Sequence, residues 1–388
     1  MLEYKNLETL VSTGKFLVAL LAAVLNETEI PPLPADVTWE NVYDLAKQHS
    51  VESMAFYGAR SRLLENSELY IRWRKKRDQN IVQGITQLEE RNEIYRKFKD
   101  AGIRFLPLKG CKLKELYRQI DFRQMSDLDI LIEPENADKA KCVMESMGYH
   151  TGKFGEKHDD EYFKPPYMHV EIHRQMLPDN VPKHVYYDNI WEKAVPDPEI
   201  PGGWKLTPED FYIYYLAHFE KHFNEMGSGI RSLLDIYVYL QDFQQNMDRN
   251  YIEKELKVLN MSHFCREMEA LSFQWFSEGE KWNIKATREM EETQRNLFLA
   301  GIYGSRDFTK ARSMDMVGIE GGMGRSFVYV LKRIFMSREE FGYAYPITQK
   351  HPALIPLFWF YRIFDVLAHK RAAIKKEIEL FRSKKGKL

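Results

Sequence analysis

Hydrophobic residues recur at helical spacing through the first hundred residues of the chain. Residues 15–25 form an apolar run of about ten residues, which is shorter than the roughly 20 that a membrane-spanning helix needs. We therefore expect a buried helix there and no membrane span. Thr38 is a suitable N-cap for a helix over residues 38–64, and residues 81–102 have the pattern of a second helix that ends at a glycine.

After residue 100 the pattern changes to strands that alternate with helices. Short apolar runs and period-two alternation predict strands, whereas a spacing of three to four residues predicts helices. This order is typical of a small α/β sheet with helical crossovers. The predicted elements are a strand over 103–110, a helix over 111–120, a strand over 128–132, a helix over 135–149 and a strand over 167–176.

Helical patterns return from residue 204 onward. Thr207 is a candidate cap, Pro208 would take the first helical position, and two acidic residues follow in the first turn, as helix N-termini prefer. We therefore predict an α+β protein in which helices flank a small mixed-sheet core. Its three predicted parts are an N-terminal helical segment (1–100), an α/β core (101–200) and a helical C-terminal domain (201–388).

Composition narrows the class of partner. The chain carries 56 basic and 57 acidic residues, so no overall field attracts nucleic acid. A local contact is open only at runs such as residues 72–77 (RWRKKR), which are more often solvated helix faces. Cys111, Cys142 and Cys265 lie far apart with no CxxC pair, so the sequence does not suggest a disulfide framework or a zinc module, and this favours the cytoplasm.

Two carboxylates interrupt one of the predicted strands. Asp127 and Asp129 occur in RQMSDLDILIEP, residues 123–134, where residues two apart point to the same side of a strand about 6.6 Å from each other. Like charges this close repel and raise each other's pKa. A shared divalent cation removes that repulsion, and Mg²⁺ prefers carboxylate oxygens together with phosphates.

A third acid lies in the next strongly alternating strand. In residues 167–176, Glu171 shares one face with His169 and His173, while the intervening residues are apolar. If this strand pairs beside the first, Glu171 completes a three-carboxylate cluster. Such a cluster can hold two metal ions about 3.5–4 Å apart and stabilise both oxygens of a phosphoryl displacement.

The stretch before the aspartates has the features of an anion site. Lys109 and Gly110 stand between a predicted strand and a predicted helix, so backbone N–H groups at the helix start can bind a phosphate. Lys112 adds positive charge at the same end.

The arrangement KG–helix–R–x–x–SDLDILI, followed by a strand with an acid and a histidine, resembles the DNA polymerase β-like nucleotidyltransferase superfamily. Within it, the chain is most similar to the uncharacterised bacterial nucleotidyltransferases, and helical stretches on both sides extend this resemblance over most of the chain. The resemblance implies that Asp127 and Asp129 bind both metals and that Glu171 binds the metal that activates the attacking hydroxyl. The nucleotide-binding residues that it implies are Lys109, Gly110, Arg123 and Ser126, and we add His173 and His218 as candidates that could line the site or simply pack.

The function implied is the transfer of an NMP from ATP or another NTP to an acceptor hydroxyl, with release of pyrophosphate. The cofactor implied is Mg²⁺, with Mn²⁺ as the alternative. Two other functions stay open from the residues alone. One is a catalytically silent module that binds a nucleotide or a partner, and the other is a transferase that acts on RNA ends.

Three further motifs have structural interpretations. His218 and His222 are four residues apart, but HFEKH is not the HExxH zinc signature, so we expect them to line a pocket or pack. Arg231 and Asp235 have the spacing of a helix ion pair. The glycine-rich residues 317–326 do not match a phosphate-binding loop, and we expect a mobile loop.

Overall fold

A computed structural model describes residues 7–301 of the protein, apart from residues 157, 180, 182, 226 and 279–287. All of these residues belong to one compact unit, Met1–Thr309. A second unit, Lys310–Leu388, lies outside the described residues, and so does the predicted loop at 317–326.

Four helices precede the sheet. The predicted cap at Thr38 is confirmed, because its side chain accepts a hydrogen bond of 3.2 Å from the backbone N–H of Asn41. The prediction of one helix over 38–64 is wrong, since α2 ends at Gln48 and a separate helix begins at Glu52. Between them Ser50 takes a φ of +48°, which is outside the range of a right-handed helix. The helices are α1 (Leu7–Asn26), α2 (Trp39–Gln48), α3 (Glu52–Ala59) and α4 (Glu68–Asp100).

Helix α1 is longer than the apolar run that predicts it. Over Glu8–Asn26 it is long and apolar enough to cross a membrane, and 56% of its most apolar stretch is buried inside the protein. Leu17, Leu20 and Leu21 are completely buried. The apolar face of α1 therefore packs within the core of the described residues.

A mixed five-stranded sheet follows, in the order β1-β2-β5-β4-β3. Strands β2 and β5 are parallel, and the other neighbouring pairs are antiparallel. Together with the surrounding helices, this sheet confirms the predicted α+β class. The strands are β1 (Phe105–Pro107), β2 (Leu128–Ile132), β3 (His150–Thr151), β4 (Asp159–Lys164) and β5 (Met168–His173), of which β3 and β4 were not predicted.

The segment between β1 and β2 is less helical than predicted. Helix α5 (Lys109–Leu113) continues only as a 3₁₀ turn over Lys114–Leu116. Tyr117 is then extended and donates its hydroxyl hydrogen to Asp235, 2.7 Å away, which draws the chain out of the helix. After β2, α6 (Ala137–Ser146) lies within the helix predicted over 135–149.

The remaining described chain is mostly helical. A short helix α7 (Ile190–Lys193) and a two-stranded ribbon of β6 (Val195–Pro196) and β7 (Trp204–Lys205) lead into it. The predicted cap at Thr207 is confirmed by a 3.2 Å hydrogen bond from the backbone N–H of Asp210. The helices are α8 (Pro208–Glu225), α9 (Ile230–Phe243), α10 (Arg249–Val258), α11 (Ser262–Phe276) and α12 (Arg288–Ala300).

The two faces of the sheet belong to different cores. Leu128, Ile130, Val170 and Ile172 pack with residues of α4 and α6. The opposite face, which includes Leu131, adjoins a larger core formed by helices from before and after the sheet. The domain boundaries at residues 100 and 200 stay a prediction.

Within this larger core, His49 connects the N-terminal helices to helices α9 and α12. It is completely buried, its Nδ1 accepts the N–H of Ile230 at 3.1 Å, and its Nε2 lies 3.2 Å from the carbonyl of Phe298. These partners require the neutral ring with its hydrogen on Nε2. Burial lowers the pKa of His49 to about 4.

We expect this histidine to make the protein less stable in acid. In the unfolded chain His49 gains its proton near pH 6.5, whereas in the folded chain it does so near pH 4. Its contribution is therefore complete above pH 6.5 and is lost as the pH falls toward 4, by about 3 kcal/mol at 1.36 kcal/mol for each pKa unit. Urea unfolding at pH 7.5 and 4.5 should show a smaller drop in His49→Gln than in the wild type. An equal drop in both would contradict the assignment, and His150→Gln, on the exposed strand β3, is the control.

Candidate active site

The three predicted acids meet on one face of the sheet. Asp129 is the direct neighbour of Glu171 in the parallel pairing of β2 and β5, and Asp127 lies immediately before β2. Possible ligand atoms of Asp127, His169 and Glu171 all lie within 4.8 Å of one another, as do those of Asp129, Glu171 and His173. The structure therefore brings the acids together as the alternation predicts, while their roles stay predictions.

Asp129 is the most strongly held of the three. Its Oδ1 accepts hydrogen bonds from Lys109 Nζ at 2.7 Å and His173 Nε2 at 2.8 Å. Burial would raise the pKa of Asp129, but these two partners hold it well below its ordinary value. For Lys109, burial would lower the pKa, but the charge of Asp129 raises it well above its ordinary value. Asp129 and Lys109 are therefore a charged pair at neutral pH.

The other two carboxyl groups experience repulsion. Burial and the charge of Asp129 raise the pKa of Asp127, and burial with both aspartates raises the pKa of Glu171 to about 8. A divalent cation would relieve this repulsion. The donor set of carboxylate oxygens and imidazole nitrogens fits such an ion. The buried Nε2 of His169, which has no hydrogen-bond partner among the described residues, is a further donor.

The predicted lysine–glycine turn borders the acids. The N–H of Leu108 donates to the carbonyl of Asp129 at 3.0 Å, which fastens the turn to β2. Lys109 has a φ of +40°, a strained value for a side-chain-bearing residue and one that is often found at functional sites. At Gly110, a Cβ would lie 2.7 Å from the guanidinium of Arg123, so the close packing requires glycine.

Arg123 forms an ion pair with a residue of the C-terminal helices. Its Nε and Nη2 donate to the two carboxylate oxygens of Asp235 on α9, at 2.7 and 3.0 Å. The predicted ion pair of Arg231 with Asp235 is wrong, since Arg231 instead donates to the carbonyl of Gln124 at 3.0 Å. The contacts of Arg123 support a positioning role beneath Gly110, and its nucleotide-binding role stays a prediction.

Helix α8 covers the acidic cluster with a polar stripe. Tyr214, His218 and His222 follow one another at four-residue intervals, and the two histidine Nε2 atoms are 3.0 Å apart. Burial lowers the pKa of both histidines, to about 4 for His222, so both are neutral near pH 7. Tyr214 was not predicted as a site residue, and its buried hydroxyl has no hydrogen-bond partner in the described part of the chain. Its spacing from His218 is the signal that could have found it.

These elements enclose a cavity of about 330 Å³. His173 lies under it, bound to Asp129, and the other predicted site residues line it. His222 also lines it, in agreement with the expected pocket-lining role, and so do Ser228, Arg231 and Ser232, which were not predicted as site residues. The predicted residues on its wall are Lys109, Gly110, Arg123, Ser126, Asp127, Asp129, Glu171 and His218.

A carboxylate pair beside a lysine–glycine turn, on a mixed sheet covered by helices, is the arrangement that the resemblance to nucleotidyltransferases predicts. The family described as uncharacterised nucleotidyltransferase matches residues 35–277, which is more than half of the 388-residue chain. The protein belongs to this family, and the match contains the whole stretch from Lys109 to Asp235. No curated protein and no solved structure matches the chain.

Proposed function

We propose that the protein is an enzyme of the polymerase β-like superfamily that uses Mg²⁺, or Mn²⁺ in its place, to transfer an NMP from an NTP to an acceptor hydroxyl. The observation that carries this proposal is the register of the sheet. It places Asp129 beside Glu171, with Asp127 two residues earlier on the same side, next to Lys109 and Gly110.

The position of each residue in the cavity suggests its role in the proposed reaction. Asp127, Asp129 and Glu171 would hold the divalent ions, and when bound Mg²⁺ would neutralise phosphate charge and polarise the α-phosphate. Lys109 places a positive charge beside the same cavity, where it can exchange its contact with Asp129 for one with a phosphate. Because the lowered pKa values of His218 and His222 keep both side chains neutral, the phosphate charge would be balanced by Lys109 and the bound cations and not by these histidines.

In the proposed reaction the acceptor oxygen forms a bond to the α-phosphorus. The bond from that phosphorus to the oxygen bridging the α- and β-phosphates breaks, and pyrophosphate leaves. The proton of the acceptor hydroxyl is released to water. Cys111, Cys142 and Cys265 are free thiols, which agrees with the cytoplasmic location that we include in the proposal.

Label transfer tests this proposal directly. The full chain is incubated with a cell extract, Mg²⁺ and each NTP labelled at the α- or the γ-phosphate. We expect α-label in an acceptor and γ-label in pyrophosphate, and no transfer once EDTA removes the cation. No transfer from any of the four NTPs with Mg²⁺ or Mn²⁺ would overturn the proposal. Transfer of γ-label to the acceptor would also overturn it, because that result indicates a kinase.

One observation favours a catalytically silent binding module. Lys109 and His173 both occupy Oδ1 of Asp129, so a cation must compete with two hydrogen bonds at this atom. Calorimetry with NTP and Mg²⁺, run beside the pyrophosphate assay, separates the two functions. Binding without pyrophosphate release supports the silent module.

The basic run at residues 72–77 gives little support to an RNA acceptor. It lies on α4, and most of its charged groups pair with carboxylates of the same protein. A steep fall of RNA binding with salt would be the evidence for that acceptor. The paired side chains are Arg72, Arg74, Lys76 and Arg77, each within 3.9 Å of an Asp or Glu oxygen.

A further inference from the structure

His169 points a nitrogen atom at the acidic cluster. It stands two residues before Glu171 in β5, on the same side of the strand, and its Nε2 lies 3.9 Å from Oε1 of Glu171. Two ligands that each lie 2.0–2.2 Å from one ion are at most about 4.4 Å apart. The two atoms therefore already have the separation of ligands that share a metal.

The surroundings of His169 leave this nitrogen available. Its Nε2 is buried and has no hydrogen-bond partner within the described ranges, although buried polar atoms in proteins nearly always have one. The contact with Glu171 is too long for a hydrogen bond. The imidazole ring stacks on Phe163, with ring centres 4.5 Å apart and planes 6° apart, which restrains the plane of the ring.

The second histidine of the strand differs in this respect. Nε2 of His173, the nitrogen that faces the acids, is already hydrogen-bonded to Asp129 at 2.8 Å. The cluster of Asp127, His169 and Glu171 thus has a nitrogen donor without a protein partner, whereas the cluster around Asp129 has one that is engaged.

We propose that His169 is a metal ligand and that, with Asp127 and Glu171, it makes this site selective for a first-row transition-metal ion over Mg²⁺. Magnesium prefers oxygen ligands, whereas transition metals accept imidazole nitrogen. The inference rests on the proposed function and deepens it by assigning the class of cation. Within that class Mn²⁺ binds most weakly, so a preference for Mn²⁺ over Mg²⁺ is the least that the proposal requires.

Binding of Mn²⁺ to the full chain without nucleotide tests the inference. Electron paramagnetic resonance measures free and bound Mn²⁺, and pulsed measurements detect coupling to a ¹⁴N nucleus of a coordinated imidazole. His169→Phe keeps a ring stacked on Phe163 and removes the nitrogen. We expect it to lose the ¹⁴N coupling and to weaken Mn²⁺ binding roughly 10- to 100-fold. That is the loss of metal affinity found when a residue that hydrogen-bonds to a metal ligand is replaced, and loss of a ligand itself should cost at least as much. Mg²⁺ binding, measured by calorimetry, should change much less.

Matched controls separate the outcomes. His150→Phe, on the exposed strand β3, should leave both the coupling and the affinity unchanged. His169→Asp restores a ligand with oxygen, so it should bind Mn²⁺ without any ¹⁴N coupling and should still bind Mg²⁺ in calorimetry. Coupling that persists in His169→Phe would assign the nitrogen to another residue and overturn the inference, as would equal losses of Mn²⁺ and Mg²⁺ binding. These readouts need no turnover, so failure of the label-transfer assay alone would reject the proposed function and leave this inference standing.

Discussion

Asp129→Asn is expected to abolish cation-dependent nucleotide transfer while the protein stays folded. Asp129 is the central carboxylate, next to Glu171 across the sheet and bound to Lys109. Asparagine has the same shape but lacks the charge that holds a divalent ion. Because such an ion contributes several kcal/mol and 1.36 kcal/mol equals a factor of ten, we expect a loss of about 10³-fold or more. The pyrophosphate assay at saturating NTP and Mg²⁺ measures it.

The fold should survive this change because the neighbouring acids can replace the missing charge. The charge of Asp129 contributes to the raised pKa of both Asp127 and Glu171, so its removal favours their ionised forms beside Lys109. Circular dichroism and the melting temperature should therefore stay close to wild type. Asp138→Asn, on the exposed side of α6, is the matched control and should keep full activity. Turnover near the wild-type rate in Asp129→Asn would contradict the assignment of the site.

The site could be predicted where a local pattern determines which way a side chain points. LDILI is a short apolar run and MHVEIH alternates, so both strands can be predicted, and period two places Asp127 and Asp129 on one side of the first strand and Glu171 and His173 on one side of the second. The parallel pairing itself is not visible in either strand. It was an assumption that the register of β2 and β5 confirms.

The missed elements lack such a pattern. Strand β4 begins with two aspartates, and Asp160 is buried because Arg174 donates to it at 2.8–2.9 Å from 14 residues away. The segment between α2 and α3 contains no glycine or proline that would predict the end of a helix. The helix ends where His49 is buried against Ile230 and Phe298, which are far away in the chain. Both features depend on contacts between distant residues, which hydrophobic spacing does not encode.

The pair of Arg123 and Asp235 is the most consequential of these distant contacts. The two side chains are 112 residues apart in the chain and only 5% and 2% exposed as residues. Asp235 also accepts the hydroxyl hydrogens of Tyr117 and Tyr215, at 2.7 and 3.3 Å. The pair therefore connects α9 to the chain just before β2, directly under Gly110.

Asp235→Leu is expected to destabilise the protein by about 3–5 kcal/mol, since it leaves the guanidinium of Arg123 buried without a counter-charge. Urea unfolding at pH 7.5 measures the loss. The double variant Arg123→Met/Asp235→Leu removes both charges, so it should recover part of the stability, while the two tyrosine hydroxyls still lack their acceptor. The exposed pair of Arg96 and Asp100, 3.2 Å apart, is the control, and Asp100→Leu should cost less than about 1 kcal/mol. A loss in Asp235→Leu no larger than in this control would mean that the buried pair does not hold the helical part against the sheet.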